Sequence, residues 1–336
     1  MVSIRDVASR AEVSLGTVSK FLNSPHRVAP ATQERIRAAI DALGYTRNEA
    51  ARQLKTGRST TLAAVALELN NPFFGAVAES MERRAHDLGL FLSVACTNND
   101  ENREEMYVEM LIQQRVHGVI LASGLTSTKA LDALRAARIP TVLLHAFPEM
   151  EGFSSCTVDD FFGGRQAASH LIDVGRTRLA FAGGEERTRP VAQRLLGARD
   201  AVSSADGVTL EVLPTPTRSV QDGMRLGEQI LARDPADRPD AVLAANDPVA
   251  IGLMKTFTSV DPSMVPRDIA VVGYDDIDLA AAAAVPLSSV RSPHATLGRV
   301  AVDLIDEQAS SDGNTPTRHV SIRPELIVRA SSGARV

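Results

Sequence analysis

The chain contains no tryptophan, and aromatic residues fill only 4% of its 336 positions. Its interior must therefore be built from Ala, Val, Leu and Ile. Cysteine is almost absent too. Cys96 and Cys156 both lie in apolar, strand-like runs with no metal-ligand spacing nearby. They read as reduced structural thiols, which argues against a disulfide scaffold and a zinc site. No apolar run reaches the ~20 residues of a membrane span. The N-terminus lacks the apolar stretch of an export signal. Together these absences predict a cytoplasmic protein without a membrane partner.

What is present suffices for two or three domains: hydrophobic residues make up 44% and charged residues 23%. The net charge of −5 is unevenly spread. Residues 1–60 hold ten Lys/Arg and five Asp/Glu, whereas the remainder holds 26 and 36. A small basic head on an acidic body fits a DNA-binding head better than a nonspecific polycation.

The head reads as three short helices. Ile4, Val7, Ala8 and Ala11 share one helical face. Ser14 is placed to cap a second helix whose inward face is Val18, Phe21 and Leu22. Pro30 suits the first turn of a third, with Ile36, Ala39, Ile40 and Leu43 inward and Gly44 as the stop. Asn48 can cap a further short helix over 49–54, broken by Gly57. So short a helix is marginal alone, so this segment is expected to order only when something holds it.

From Leu62 the texture changes. Runs such as LAAVALEL, FLSVACT, GVILA and TVLLH alternate with helical stretches. The alternation resumes after Cys156 through LAFAGG, TLEVL, AVLAAN and IAVVGYDD. That is the rhythm of buried parallel strands with crossover helices, too long for one compact sheet. Two similar halves dividing near Asp159 are expected.

An ordered series of motifs spans nearly the whole chain. It begins with I-R-D-V-A at 4–8, V-S-L-G-T-V-S-K-F-L-N at 13–23 and A-A-R-Q-L-K at 50–55. It continues with V-D-D-F at 158–161, A-N-D-P-V-A-I-G at 245–252, V-V-G-Y-D-D at 271–276 and R-P-E-L-I-V-R at 323–329. This series resembles the LacI/GalR family of bacterial transcription regulators. The resemblance implies an N-terminal all-α helix-turn-helix head (1–46), a hinge helix and linker (47–60), and an α/β two-lobed periplasmic-binding-protein-like (type I) body. It implies lobes of 61–160 with 292–321 and of 161–291 with 322–333, the chain crossing near 159–161, 290–293 and 320–324. It further implies a homodimer on a near-palindromic operator in double-stranded DNA, a small-molecule effector and no cofactor. Four positions depart from the family pattern. Glu12 stands at a usual Gly in the turn, Ala29 at a usual capping Ser or Thr, Arg47 at a common Pro, and Arg176 at a usual His.

Leu15 and Gly16, at the start of the second helix, carry no hydrogen-bonding side chain. Leu15 can contact a thymine methyl, and Gly16 permits close backbone approach. Thr17 and Ser19 can meet phosphate or a base edge, and Lys20 a guanine or a phosphate. Arg5 and Asn23 are phosphate candidates. In the hinge, Leu54 resembles the family's minor-groove wedge, opening a central CpG step; Ala51 lets the backbone sit close, and Arg52 and Lys55 meet sugar-phosphate. The alternative is that Leu54 only packs the linker on the body.

In the body, ligands are expected beyond the carboxyl ends of strands. Phe73 and Phe74 follow the first strand through N-N-P and can stack on a flat ligand face, or be core residues. Arg194 matches the family's ligand-clamping arginine; the alternative is a surface ion pair. Asp247 and Asp275 follow strands and can accept from vicinal hydroxyls or cap helices. His145, Arg189, Arg218 and Asn246 are further candidates. Were Arg187, Arg189, Arg194 and Arg218 all to border one cleft, an anionic sugar derivative would suit it; otherwise the family favours a sugar. Two other functions compete with a repressor. A periplasmic solute-binding protein is disfavoured by the basic head and the missing export signal. A nucleotide-dependent enzyme is disfavoured by the lack of G-x-G-x-x-G or a phosphate loop at the strand-to-helix turns. Whether the effector induces or corepresses is not encoded in any motif.

Overall fold

The computed structural model describes residues 2–46 and 59–333, apart from 67, 99, 123–126, 145–149, 151, 184–187 and 312–315. Ala51, Arg52, Leu54, Lys55, His145 and Arg187 lie outside the described residues. The chain divides into two compact units, Met1–Arg58 and Ser59–Val336.

In the first unit, α1 (Ile4–Arg10), α2 (Leu15–Asn23) and α3 (Pro30–Leu43) enclose a core of Val7, Ala8, Val18, Phe21, Val28 and Ile36. Ser3 and Asp6 form a reciprocal capping box on α1. Ser14 Oγ accepts the Thr17 amide at the start of α2. The turn between them survives the family departure: Glu12 sits at φ +52°, in the left-handed region. Ala29 leaves α3 with no side-chain cap, while Gly44 ends it at φ +60°.

The second unit contains two six-stranded sheets. The first half runs β1 (Thr61–Ala66), α4 (Pro72–Asp87), β2 (Phe91–Cys96), α5 (Glu101–Gln113), β3 (Gly118–Ala122), α6 (Thr128–Ala136), β4 (Thr141–Leu144) and β5 (Ser154–Val158). The second runs α7 (Asp160–Asp173), β6 (Arg178–Ala182), α8 (Arg189–Ser203), β7 (Thr209–Leu213), α9 (Val220–Leu231), β8 (Ala241–Ala244), α10 (Asp247–Val260), α11 (Met264–Arg267), β9 (Ala270–Asp275), α12 (Asp278–Ala282) and β10 (Ser288–Arg291). Then follow α13 (His294–Ser310), β11 (His319–Ile322) and β12 (Glu325–Ile327). Strand orders are β11-β5-β4-β3-β1-β2 and β12-β10-β9-β8-β6-β7. All pairings are parallel except β10 with β12.

The chain passes between the sheets three times: after β5, after β10, and between β11 and β12. Helix α13 returns to the first sheet and buries Leu297, Ala301 and Ile305 with Leu62, Ile120 and Val142. In the second lobe, Val242, Leu253, Phe257 and Val271 fill one face of the sheet, and Leu179, Phe181, Tyr274 and Val290 the other. Both faces of each sheet are thus covered, as parallel strands require. Strands β10, β11 and β12 are only three or four residues long and do not stand out in the sequence, whereas β5 lies in the apolar run around Cys156. Cys156 lies in β5, fully buried, its thiol pushed up to about 12 by burial; Cys96 is half-buried on β2, and neither forms a disulfide.

Candidate functional site

Two regions carry the functional candidates. The first is the outer face of α2. Helix periodicity turns Val18 and Phe21 inward and leaves Leu15, Gly16 and Lys20 exposed, with Leu15 44% accessible. An exposed leucine at a helix start is an available apolar contact. Thr17 and Ser19 are half-buried. The Thr17 hydroxyl is bonded to Ser14 Oγ at 2.8 Å, and Asn23 Nδ2 donates to the Ser19 carbonyl at 2.8 Å. Both polar groups therefore have intrahelical work, which leaves Lys20 as the long, free-standing cationic reach of α2. Arg5 is exposed on α1.

The second region is a cleft between the lobes, with about 470 Å³ of open space. It is lined by Phe73, Phe74, Arg194, Arg218, Asn246 and Asp275, and also by Glu68, Asn71 and Thr188. Asn71 caps α4, its Oδ1 accepting the Phe73 amide at 3.0 Å. Its Nδ2 donates across the cleft to Asp275 Oδ2 at 3.4 Å. Phe73 is buried in the first lobe's core, whereas Phe74 is half-buried, 5.4 Å away in an edge-to-face pair.

Arg194 is the most constrained group. Helices α7 and α8 cross so closely that a Cβ at Gly164 would run into the Arg194 backbone. That approach brings Asp160 to Arg194, Oδ1 accepting from Nε at 2.8 Å. Nη1 donates to the Ala245 carbonyl at 2.5 Å, Nη2 lies 3.6 Å from Asp275 Oδ1, and the guanidinium stacks 3.5 Å above the Tyr274 ring. Burial alone would ease its proton off, but Asp160 and Asp275 outweigh that and hold the charge firmly. The surface ion pair considered from the sequence is thus replaced by a buried one.

Asp275 caps the end of β9 at φ +101°, a conformation rare for a side-chain-bearing residue. Burial raises its carboxyl to about 6, against the pull of Arg194. Its Oδ1 accepts no hydrogen bond among the described residues. A buried acceptor left this way is costly, and a ligand hydroxyl would satisfy it.

Three expectations need correction. Asp247 neither lines the cleft nor caps a helix. The cap of α10 is Asn246, and Asp247 is fully buried, accepting from Ser289 Oγ at 2.6 Å and the Ile277 amide at 2.8 Å. Burial, then the nearby Asp275, raise its pKa well above the usual range. It fastens the loop after β9. Arg189 borders a separate cavity with Asp159, Gln193 and Ser321. The four arginines therefore do not share one cleft; among the described residues only Arg194 and Arg218 do. Asn246 lines the cleft, but its Oδ1 accepts the Val249 amide and its Nδ2 donates to the Arg218 carbonyl. It shapes the wall with both ends already bonded. Glu68 and Asn71 were missed by sequence reasoning; the signal was the N-N-P stretch after a strand, of which only the following phenylalanines were taken up.

Among the described residues, no helix is long and apolar enough to cross a membrane. A family model for bacterial regulatory proteins of the lacI family matches residues 3–48, and one for a periplasmic binding protein-like domain matches residues 168–332. The HTH-type transcriptional regulator DegA of Bacillus subtilis is 31% identical, over 98% of this chain and 98% of its own. The ribose operon repressor of Escherichia coli is 31% identical over 99% and 100%. Among solved structures, the lac repressor dimer bound to operator and the anti-inducer ONPF is 26% identical over 99% of each chain, with a TM-score of 0.85. The complex of the transcriptional regulator CelR with cellobiose is 29% identical over 98% of this chain and 100% of that one, with a TM-score of 0.72. The chain therefore belongs to the lacI family of bacterial regulatory proteins, DNA-binding transcription regulators with a ligand-sensing periplasmic-binding-protein-like body, and is not an enzyme.

Proposed function

We propose that the protein is a repressor that binds a near-palindromic operator as a homodimer in the cytoplasm and releases or tightens its hold when a sugar-like effector enters the cleft. The observation that carries the effector half is Asp275, a buried carboxylate with an unfilled acceptor facing an interlobe cleft beside Phe74 and Arg194. Lys20 and Leu15 read bases from α2, with Arg5 and Asn23 on phosphate. Leu54, Ala51, Arg52 and Lys55 open and grip the central step, and His145 joins the effector cleft; these five roles rest on the sequence. A second copy suits the edge of the first sheet. Strand β2 ends that sheet and exposes Phe91 and Val94, and α5 after it exposes Met106 and Met110.

Ligand and DNA couple because lobe closure changes the spacing of the two hinge segments, and such coupling is reciprocal. In vitro selection of genomic fragments with the full chain tests this reading. Enrichment of a near-palindrome centred on CpG is expected, with retention falling steeply as salt rises. Failure to enrich any fragment, with or without cell extract, would remove the operator. In the same assay Leu54→Ala is expected to weaken retention while leaving dimerisation intact.

A further inference from the structure

We propose that Asp276 is a positioning residue of the cleft: gripped by Arg291 and Arg329, where two of the passages between the lobes adjoin the second sheet, it holds the turn that brings Asp275 to the effector space. The proposal rests on the reading that this cleft is the effector site, but its test needs no effector.

Asp275 and Asp276 stand side by side at φ +101° and +53°, both in the left-handed region and neither a glycine. Such a turn persists only where its surroundings over-determine it. Asp275 lines the cleft; Asp276 does not, and its side chain is only 5% exposed. Both oxygens of the Asp276 carboxylate are engaged. Oδ2 accepts from Arg291 Nε at 2.8 Å and Oδ1 from Arg329 Nη1 at 2.6 Å. The Asp276 amide donates to Ser289 Oγ at 3.0 Å, and the Ile277 amide to Asp247 Oδ2 at 2.8 Å. Ser289 Oγ in turn donates to Asp247 Oδ1 at 2.6 Å. The chain just after Asp275 is thus fixed by Arg291, Arg329, Ser289 and Asp247, none of which borders the cleft.

Both arginines belong to the ends of passages. Arg291 is the last residue of β10, where the chain leaves for α13. It is in register with Asp275 on β9 and with Glu325 on β12. Arg329 follows β12, the strand that receives the chain back from β11. It also donates to the Leu287 carbonyl at 2.6 Å, and its amide to Ser288 Oγ at 2.7 Å. Charge-assisted hydrogen bonds are about twice as strong as neutral ones, so these links hold the turn more firmly than a hydroxyl or amide would. The segments on which the lobes pivot are therefore fastened to the residue beside the cleft carboxylate. A change in lobe closure can reach Asp275 through them, without a contact inside the cleft.

The test is the pH dependence of urea unfolding of the full chain, with the Asp275→Asn curve subtracted in each background. Burial raises the Asp275 carboxyl to about 6, against Arg194, Asn71 and Arg218, with Asp160 and Asp247 as the neighbouring carboxyls. In the wild type the subtracted stability is therefore lost through a midpoint near 6 as pH rises. Released from the clamp, Asp275 meets water and the midpoint drops. Asp276→Asn and Arg329→Gln should both lower it, by about one pH unit. Charge alone would separate the two variants, since losing an anion lowers a nearby carboxyl pKa and losing a cation raises it. Arg329→Lys keeps the cation and should restore most of the wild-type midpoint. Arg291→Gln, at a more exposed position, gives the same reading should Arg329→Gln not fold. Midpoints that move in opposite directions would overturn the proposal. So would an equal loss of stability at every pH with the midpoint unmoved, or a wild-type midpoint already at the ordinary 3.8. None of these outcomes depends on what the cleft binds. Failure of the clamp leaves the effector reading standing, and a cleft that takes no effector leaves the clamp.

Discussion

The outer face of α2 and the interlobe cleft treat polar groups in opposite ways. On α2, Lys20 stands in solvent with no fixed partner among the described residues, and the caps that shape the helix, Ser14 and Ser24, flank it directly in sequence. In the cleft, Arg194 is buried and held by groups from β5–α7, β8–α10 and β9, contributed by residues as far apart as 160 and 275. A surface that meets a polyanion gains by keeping its cations hydrated and mobile until contact. A cleft that discriminates among small ligands gains by fixing every charge beforehand. Substitutions should therefore act locally on the first and cooperatively on the second.

The sharpest way to break that contrast is Arg194→Ala. It leaves Asp160 and Asp275 buried without their cation, so the body should lose about 3–5 kcal/mol of stability in urea unfolding. Loss of less than about 1 kcal/mol would mean the pairing is not structural. Effector response should vanish with it, while operator retention without effector should survive at low temperature.

Next comes pH. Asp275 has a folded pKa raised from 3.8 to about 6. The folded state therefore holds that proton more tightly than the unfolded chain. Its contribution is most favourable below about 4 and is lost as pH rises through about 6, a change of up to about 3 kcal/mol. Asp222 and Asp261, both lowered to about 2, act in the opposite sense: their stabilisation is present above 3.8 and lost as pH falls towards 2. Subtracting the unfolding curve of Asp275→Asn from that of the wild type isolates the first effect. A difference independent of pH between 4 and 7 would contradict it.

Lys20→Ala should weaken operator retention about tenfold and lower its salt dependence, with no change in the body's unfolding. A loss confined to one operator sequence would assign Lys20 to a base, and a uniform loss to a phosphate. The smallest effect is Ala29→Ser. A hydroxyl at the empty cap of α3 should stabilise the head by about 1 kcal/mol, read as slower amide exchange along α3. Unchanged exchange would show that Pro30 at the first turn already suffices.

How far each region could be read in advance follows the same divide. The three head helices were legible because Ser14, Pro30 and Gly44 act on neighbours one to three residues away. The long apolar strands β1, β3, β6, β8 and β9 were legible because burial on both faces demands unbroken runs. Strands β10, β11 and β12 were not, since segments of three or four residues become strands only when a neighbouring strand receives them. Asp247 shows the same limit within the cleft. Its place after a strand suggested a ligand or a cap, but the adjacent Asn246 took the cap, and Ser289 and Ile277, from 30 and more residues away, took both carboxylate oxygens.

The sequence by itself determined the helix-turn-helix head, the alternating strands and helices of the body, and the family to which the chain belongs. These depend on periodicity, caps and motifs, all of which act along the chain. Which charges meet was decided only by the tertiary structure. Arg194 and Arg218 share a cleft while Arg189 faces another, and Glu68 comes to stand with Asp275, because three passages of the chain between two sheets fold distant loops onto one gap. No local pattern records such a meeting, since Coulombic and desolvation energies depend on distances in space that the order of residues does not contain.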